Sequence, residues 1–327
     1  LISLQNITYS LYTVHGNAGH EVVVTYGPDG VTFAGASTVD RVFVNALEDA
    51  KGVATTTTQT KYSDLAMKNI TQKIVTNIDP KNLDPNGNPL VQDQQIFVQT
   101  SSGLVETIHQ IITAKTLDFL STGDAKSQVI TTYHVEGGAE TLVGYSEYSN
   151  RLFDSSHNVT GQTVANYTDS TKTSLVSAQE LRYSGFTTTG VPAHETIATY
   201  SDSSFKTVTG VQDILNTTIS AIGNVIDMTL TKYSGRNSGD RQTGDINPVG
   251  LQSQEMIHNS LFDPLGNPKV QDITTVYYDS TGKSVISTTY VHIENTYDIY
   301  NRLATSLVKT SKEASQTSVL SVQNITY

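Results

Sequence analysis

Tyr278-Asp-Ser-Thr-Gly-Lys-Ser-Val-Ile-Ser-Thr-Thr-Tyr290 contains both halves of the rule by which this chain folds. The first half is a turn. Asp or Ser after the tyrosine accepts a hydrogen bond from a backbone N–H two residues on, and Gly282 takes the left-handed conformation that closes the loop. The aromatic ahead of the turn packs inward at a strand end. The second half, Ser284-Val-Ile-Ser-Thr-Thr-Tyr290, interleaves hydroxyl residues with β-branched and aromatic ones, the pattern of a short strand.

The same unit recurs along the chain. An aromatic is followed four residues later by Gly or Asn at Tyr26–Gly30, Phe119–Gly123, Tyr133–Gly137, Tyr233–Asn237, Phe262–Gly266 and Tyr297–Asn301. Weaker copies stand at Phe153–His157, Tyr167–Thr171 and Tyr200–Ser204. Successive anchors are commonly 14 to 19 residues apart. Strands between them alternate, as in Val129-Ile-Thr-Thr-Tyr133 and Glu195-Thr-Ile-Ala-Thr-Tyr200. The expected fold is all-β: an elongated, β-solenoid-like stack of hairpin repeats with little helix. Tyr26, Phe119, Tyr133, Phe262, Tyr278 and Tyr297 are the expected packing anchors, and Gly87, Gly266 and Gly282 the expected turn glycines. Arg41–Ala50 is the best short-helix candidate, and residues 236–250 read as a long polar loop.

Longer echoes point to duplication. Asp84-Pro-Asn-Gly-Asn-Pro-Leu-Val-Gln-Asp93 returns as Asp263-Pro-Leu-Gly-Asn-Pro-Lys-Val-Gln-Asp272. Leu1-Ile-Ser-Leu-Gln-Asn-Ile-Thr-Tyr9 returns as Val319-Leu-Ser-Val-Gln-Asn-Ile-Thr-Tyr327, an offset of 318 residues (319 − 1). This predicts one unit of a longer tandem-repeat polypeptide. Leu1, Gln5, Asn6, Tyr9, Gln323, Asn324 and Tyr327 would then mark where one unit meets the next.

Composition agrees with a thin β structure. Only 37% of the 327 residues are hydrophobic, Trp is absent, Tyr numbers 17, and Ser plus Thr make up about a quarter. The net charge of −11 with no basic cluster argues against nucleic acid as a partner. Without Cys, no disulfide or thiolate site can form. No apolar run reaches the 18 residues expected of a membrane-spanning helix.

Tyr297-Asp-Ile-Tyr-Asn-Arg-Leu303 and Tyr278-Asp-Ser-Thr-Gly-Lys-Ser284 resemble the YD repeat, Tyr-Asp-x-x-Gly-Arg-Leu, of bacterial Rhs, teneurin and insecticidal-toxin shell proteins. Asn150-Arg-Leu152 and Phe262-Asp-Pro-Leu-Gly-Asn267 are similar to degenerate copies. The resemblance implies a spiralling β-hairpin surface, often extracellular and sometimes closed into a shell. This chain departs from the family in scale and regularity, which favours an open fibre. On this reading residues 1–327 form one continuous β-repeat segment. Residues 10–60 are its irregular, insert-bearing part and 61–327 its YD-like repeats.

Candidate chemical sites are few. His134/Glu136 and His292/Glu294 share strand faces, but zinc needs at least three converging ligands. Asp84-Pro-Asn-Gly-Asn88 lacks the late Glu of a calcium loop, so turn capping is the simpler account. No nucleophile elbow, His-Glu-x-x-His or phosphate loop is present. Glu294/Asp298 would suit glycosidase work only across a groove. Six Asn-x-Ser/Thr sequons, at Asn6, Asn69, Asn158, Asn166, Asn216 and Asn324, match chance. The expectation is a non-catalytic structural segment of a long extracellular, cell-surface filament or adhesin. It needs no cofactor, and its partners are further copies of itself and surface glycans. The competing expectation is a glycan-binding β-solenoid or carbohydrate-active enzyme with tyrosines stacked on sugars.

Overall fold

The computed structural model describes residues 3–27, 29–114, 118–237, 245–298 and 302–327. The chain is all-β. Its early strands are β1 (Leu4–Tyr12), β2 (Ala18–Tyr26), β3 (Phe33–Val42), β4 (Thr56–Tyr62), β5 (Ile70–Ile78), β6 (Val91–Thr100), β7 (Gly103–Thr113), β8 (Gln128–Glu136) and β9 (Ala139–Phe153). There follow β10 (Val159–Tyr167), β11 (Leu175–Ser184), β12 (His194–Tyr200), β13 (Val208–Ile219) and β14 (Val225–Arg236). The last are β15 (Pro248–Phe262), β16 (Pro268–Tyr278), β17 (Val285–Tyr297), β18 (Leu303–Ser311) and β19 (Val319–Thr326). Helix among the described residues is confined to α1 (Ala46–Lys51) and a 3-10 turn at Pro80–Asn82. The helix begins later than Arg41–Ala50 suggests, because Arg41 and Val42 are held in the β3 ladder opposite Thr57 and Thr56.

Two compact units divide the chain: residues 1–151 with 166–176, and residues 152–165 with 177–327. In the first, β1 to β9 each pair antiparallel with the next strand. In the second, β11 to β19 do the same. Neighbours in sequence are neighbours in the sheet, so each of these strands runs directly on to the one it pairs with.

Each unit carries a recurring bulge. In the first, the register shifts immediately before Tyr26, Tyr62, Phe97 and Tyr133. In the second it shifts before Tyr200, Tyr233, Tyr278, Tyr297 and Ser311. Each time the following strand supplies one extra residue, such as Ala34 between Phe33 and Gly35. The anchors of the first unit lie 36, 35 and 36 residues apart (26, 62, 97, 133). The structural module is therefore two strands long. The 14-to-19-residue spacing counts single strands, because the turns at both strand ends carry aromatics.

Cores are thin and built from small side chains. Ala36, Val98, Val135, Thr38, Thr60 and Thr107 are buried in the first unit. Ala178, Ala198 and Val211 are at most 1% exposed in the second. Small residues here let a larger buried group, Glu180, fit between strands.

Candidate functional site

Tyr26, Tyr133 and Tyr278 stand at bulges beside one family of turns, and all three are half-buried. Phe119, Phe262 and Tyr297, also half-buried, stand beside the other family. Phe119 bridges to Ala125, Phe262 pairs with Pro268, and the Tyr297 hydroxyl donates to Pro268 O at 3.2 Å. Among the described residues the buried tyrosines are Tyr167 and Tyr200, two of the weaker sequence copies.

Gly87, Gly266 and Gly282 have φ of +90°, +90° and +69°. The Asp263 turn shows the construction. Asp263 Oδ1 accepts from Leu265 N and Asn267 N at 2.8 and 2.9 Å, and Asn267 Nδ2 donates to Asp263 Oδ2 at 2.7 Å. The Asp84 and Asp154 turns repeat these bonds. Turns of this family touch their predecessors: a methyl group placed on Gly266 would lie 2.7 Å from Asn224 Oδ1, and one on Gly123 3.2 Å from Asn88 Oδ1. Where no Gly is present the left-handed residue stays in place at His157 in the Phe153 turn, with φ of 64°, but moves one place on in two others. It is Lys172 and Phe205 in the Tyr167 and Tyr200 turns, instead of Thr171 and Ser204, with φ of 59° and 56°. The reason is a wider loop held by its Asp. Asp202 accepts from Ser204 N, Lys206 N and Thr207 N at 3.0, 3.3 and 3.0 Å.

A further sequence signal marks this module. A glycine precedes an aromatic by ten residues at Gly16/Tyr26, Gly52/Tyr62, Gly87/Phe97, Gly123/Tyr133, Gly190/Tyr200 and Gly223/Tyr233. Each such glycine has a positive φ, and each such aromatic follows a bulge.

Gln5, Asn6 and Tyr9 lie on β1, Gln323 and Asn324 on β19, with Tyr327 next to β19. Leu1 and Asn301 fall outside the described residues. Apolar side chains are exposed on both strands: Ile7 47%, Tyr9 48%, Val322 56%.

The densest polar cluster is in the second unit. Glu180, 1% exposed, accepts from Arg182 Nη2 at 2.7 Å, from the Tyr200 hydroxyl at 2.7 Å, and from Arg236 Nη1. The Arg236 Nη1 also donates to the Tyr200 oxygen at 3.3 Å. Burial, then the Glu180 carboxylate, push the Tyr200 phenol above its ordinary value. The cluster is closed: its guanidiniums are 12% and 3% exposed. Nothing in the sequence brings it together, since Glu180 and Arg236 are 56 residues apart.

A second feature crosses the sheet of this unit. Asp227, His258, Asp272, His292 and Lys309 stand opposite one another in register on β14 to β18. His258 meets Asp227 at 2.7 Å and His292 meets Asp272 at 2.8 Å. The bond to His258 is the leading cause that lowers the Asp227 carboxyl. In the first unit His109 bonds Glu140 at 2.7 Å and Asp93 at 3.2 Å. Of the shared-face pairs, His292 reaches Glu294 at 3.3 Å, while His134 and Glu136 stand 3.9 Å apart. Glu294 is bonded to Lys309 and Asp298 to Arg302, so each carboxylate has a cation of its own. Among the described residues no group of three or more His, Asp or Glu is arranged to hold a metal ion.

One shallow groove is lined by Asn77, Asp79, Asp93, Gln95 and His109, and another by Lys269, Glu294, Asn295, Thr305 and Asn324; neither includes a tyrosine. No helix among the described residues is long and apolar enough to cross a membrane.

No family model matches the chain, and no curated protein matches it. Among solved structures it is similar to the crystal structure of TcdB2-TccC3, at 11% identity and a TM-score of 0.21, covering 99% of this chain and 23% of that one. The same complex without its hypervariable C-terminal region gives 10% identity and a TM-score of 0.15, over 99% of this chain and 20% of that one. At such scores, what this chain does has to be argued from its own residues.

Proposed function

We propose that this chain is a non-catalytic structural repeat segment of a long extracellular filament or surface adhesin. The observation that carries the reading is the repetition itself. One two-strand module, with its bulge, anchor and capped turn, recurs in each unit, and the strand sequence at one end returns at the other. Repeats of this kind cover one another's apolar faces and suit an array. The polar groups support a scaffold as well. Turn aspartates are saturated by backbone N–H groups of their own loops, and the Glu180 cluster is enclosed. Grooves without tyrosine do not favour the sugar-binding alternative.

The test has two arms. Electron microscopy of the concentrated protein, and of the surface of its source cells labelled with antibody, should show filaments that carry this sequence. Glycan arrays and glycosidase substrates should give no signal. Discrete monomers at all concentrations together with sugar turnover would reverse the assignment.

A further inference from the structure

Two strands of this chain share a sequence and have opposite open edges. Among the described residues β1 pairs only with β2, and β19 only with β18. In an antiparallel ladder the N–H and C=O of one residue point to the same side, and successive residues alternate. Gly27 N donates to Thr32 O at 2.7 Å across the β2–β3 turn. Along β2, Thr25 and Val23 therefore face β3, whereas Tyr26, Val24 and Val22 face β1. Their partners Leu4, Asn6 and Thr8 direct their backbone groups at β2, leaving those of Gln5, Ile7 and Tyr9 on the open edge. At the other end Tyr327 N donates to Ala304 O at 3.0 Å. Tyr327, Ile325 and Gln323 thus face β18, and Thr326, Asn324 and Val322 face the open edge.

The matching positions are Leu4 and Val322, Asn6 and Asn324, Thr8 and Thr326. The backbone half that β1 commits to β2 is the half that β19 leaves open. Neither strand is guarded. Leu4–Tyr12 and Val319–Thr326 contain no charged residue and no Pro, the usual protections of an edge. Val319, Leu320 and Val322 are 47%, 55% and 56% exposed.

Resting on the filament reading above, we infer that the open edge of β19 is completed by β2 of a second copy of this sequence, with β19 in the place of β1. The register follows from the first copy. Val322 stands opposite Tyr26 of the second copy, Gln323 opposite Thr25, Asn324 opposite Val24, Ile325 opposite Val23, and Thr326 opposite Val22. Gln5 Nε2 reaches Thr25 Oγ1 at 3.5 Å, and Gln323 keeps the side chain for that contact. The exchange preserves the backbone bonds of β2 and buries apolar groups that β19 now exposes, while β1 of the second copy is released with its open edge unchanged.

The chain has no Cys, so an introduced pair is unambiguous. Oxidised Gln323→Cys/Thr25→Cys protein should run as a reducible ladder of cross-linked copies. The slipped pair Gln323→Cys/Val23→Cys should remain monomeric. Asn324→Pro removes an N–H that faces the open edge, where Pro is tolerated in a strand. Its circular dichroism and melting should match the parent. Its half-assembly concentration in sedimentation should rise by at least about tenfold. Equal cross-linking of both Cys pairs, no cross-linking of either, or unchanged assembly of the Pro variant would overturn the inference. Filaments that persist in the Pro variant sink this register but leave the filament reading standing. A cross-linked dimer that never extends does the reverse.

Discussion

Replacing Glu180 by Leu tests what holds the second unit together. The substitution keeps similar volume, so it opens little cavity, but it removes the acceptor of Arg182, Tyr200 and Arg236. Arg236, 3% exposed, and Arg182, 12% exposed, both lose the carboxylate they share. Removing one partner of a buried ion pair typically destabilises by about 3–5 kcal/mol. Total domain stability is only about 5–15 kcal/mol, so the loss is a large fraction of what the unit has. Urea unfolding followed by tyrosine fluorescence reports it, since the chain has 17 Tyr and no Trp. Hydrogen exchange at Ala178 and Ala198, both 0% exposed, locates it. The cause is separable. Glu180→Leu/Arg182→Met/Arg236→Met removes all three charges of the cluster and should recover most of the stability, because apolar replacement of a whole buried ionic cluster is often neutral. A loss below about 1 kcal/mol in the single variant, or a triple variant no better than the single, would refute the reasoning.

Three other outcomes follow from the geometry. Burial acts to lower the His109 imidazole, but hydrogen bonds to Glu140 and Asp93 outweigh it and raise the group above 6.5. Its contribution is therefore complete below pH 6.5 and lost as pH rises through the folded value. Amide exchange along β7 should be slower at pH 6 than at pH 9 after correction for intrinsic rates, and His109→Phe should remove that difference. Asp279 is held at about 2 against an ordinary 3.8, first by the Thr281 hydroxyl and then by the Lys283 N–H. Its contribution is present above pH 3.8 and disappears as pH falls through 2, so Asp279→Ala should flatten the acid limb of a stability titration. Gly266→Val forces a branched side chain to φ +90° against Asn224, and should destabilise by roughly 1–2 kcal/mol in thermal unfolding.

The strands were legible because Thr–aliphatic alternation survives in a chain with few long apolar residues. Val129–Tyr133 reads correctly as strand from pattern alone, and Ser284–Tyr290 does so from Val285 onward. Turn positions marked by Gly were equally plain. Turns closed by Lys172 or Phe205 were displaced by one residue, since no side chain announces a left-handed conformation that a capping Asp imposes. The two-strand period was obscured because Phe119 and Phe262 mimic the anchors at the opposite strand ends. Glu180, Arg182 and Arg236 were invisible for a different reason. Their meeting depends on strand register across β11 to β14, and register is a property of pairing, not of any local stretch.

The bulge before each anchor constrains how such a chain changes over generations. Deleting a residue of the regular ladder, such as Lys73 opposite Thr60, would slip the strand by one place and turn its inward face outward, whereas deleting Thr71, the extra residue opposite Lys61 and Tyr62, would only remove the bulge. A single-residue insertion or loss within the regular ladder therefore costs a strand its inward face, whereas length added between paired strand ends such as Arg236 and Pro248 leaves each register intact. Adding or removing a whole two-strand module likewise leaves the neighbouring registers unchanged. A lineage can adjust the reach of the protein while every strand keeps its register.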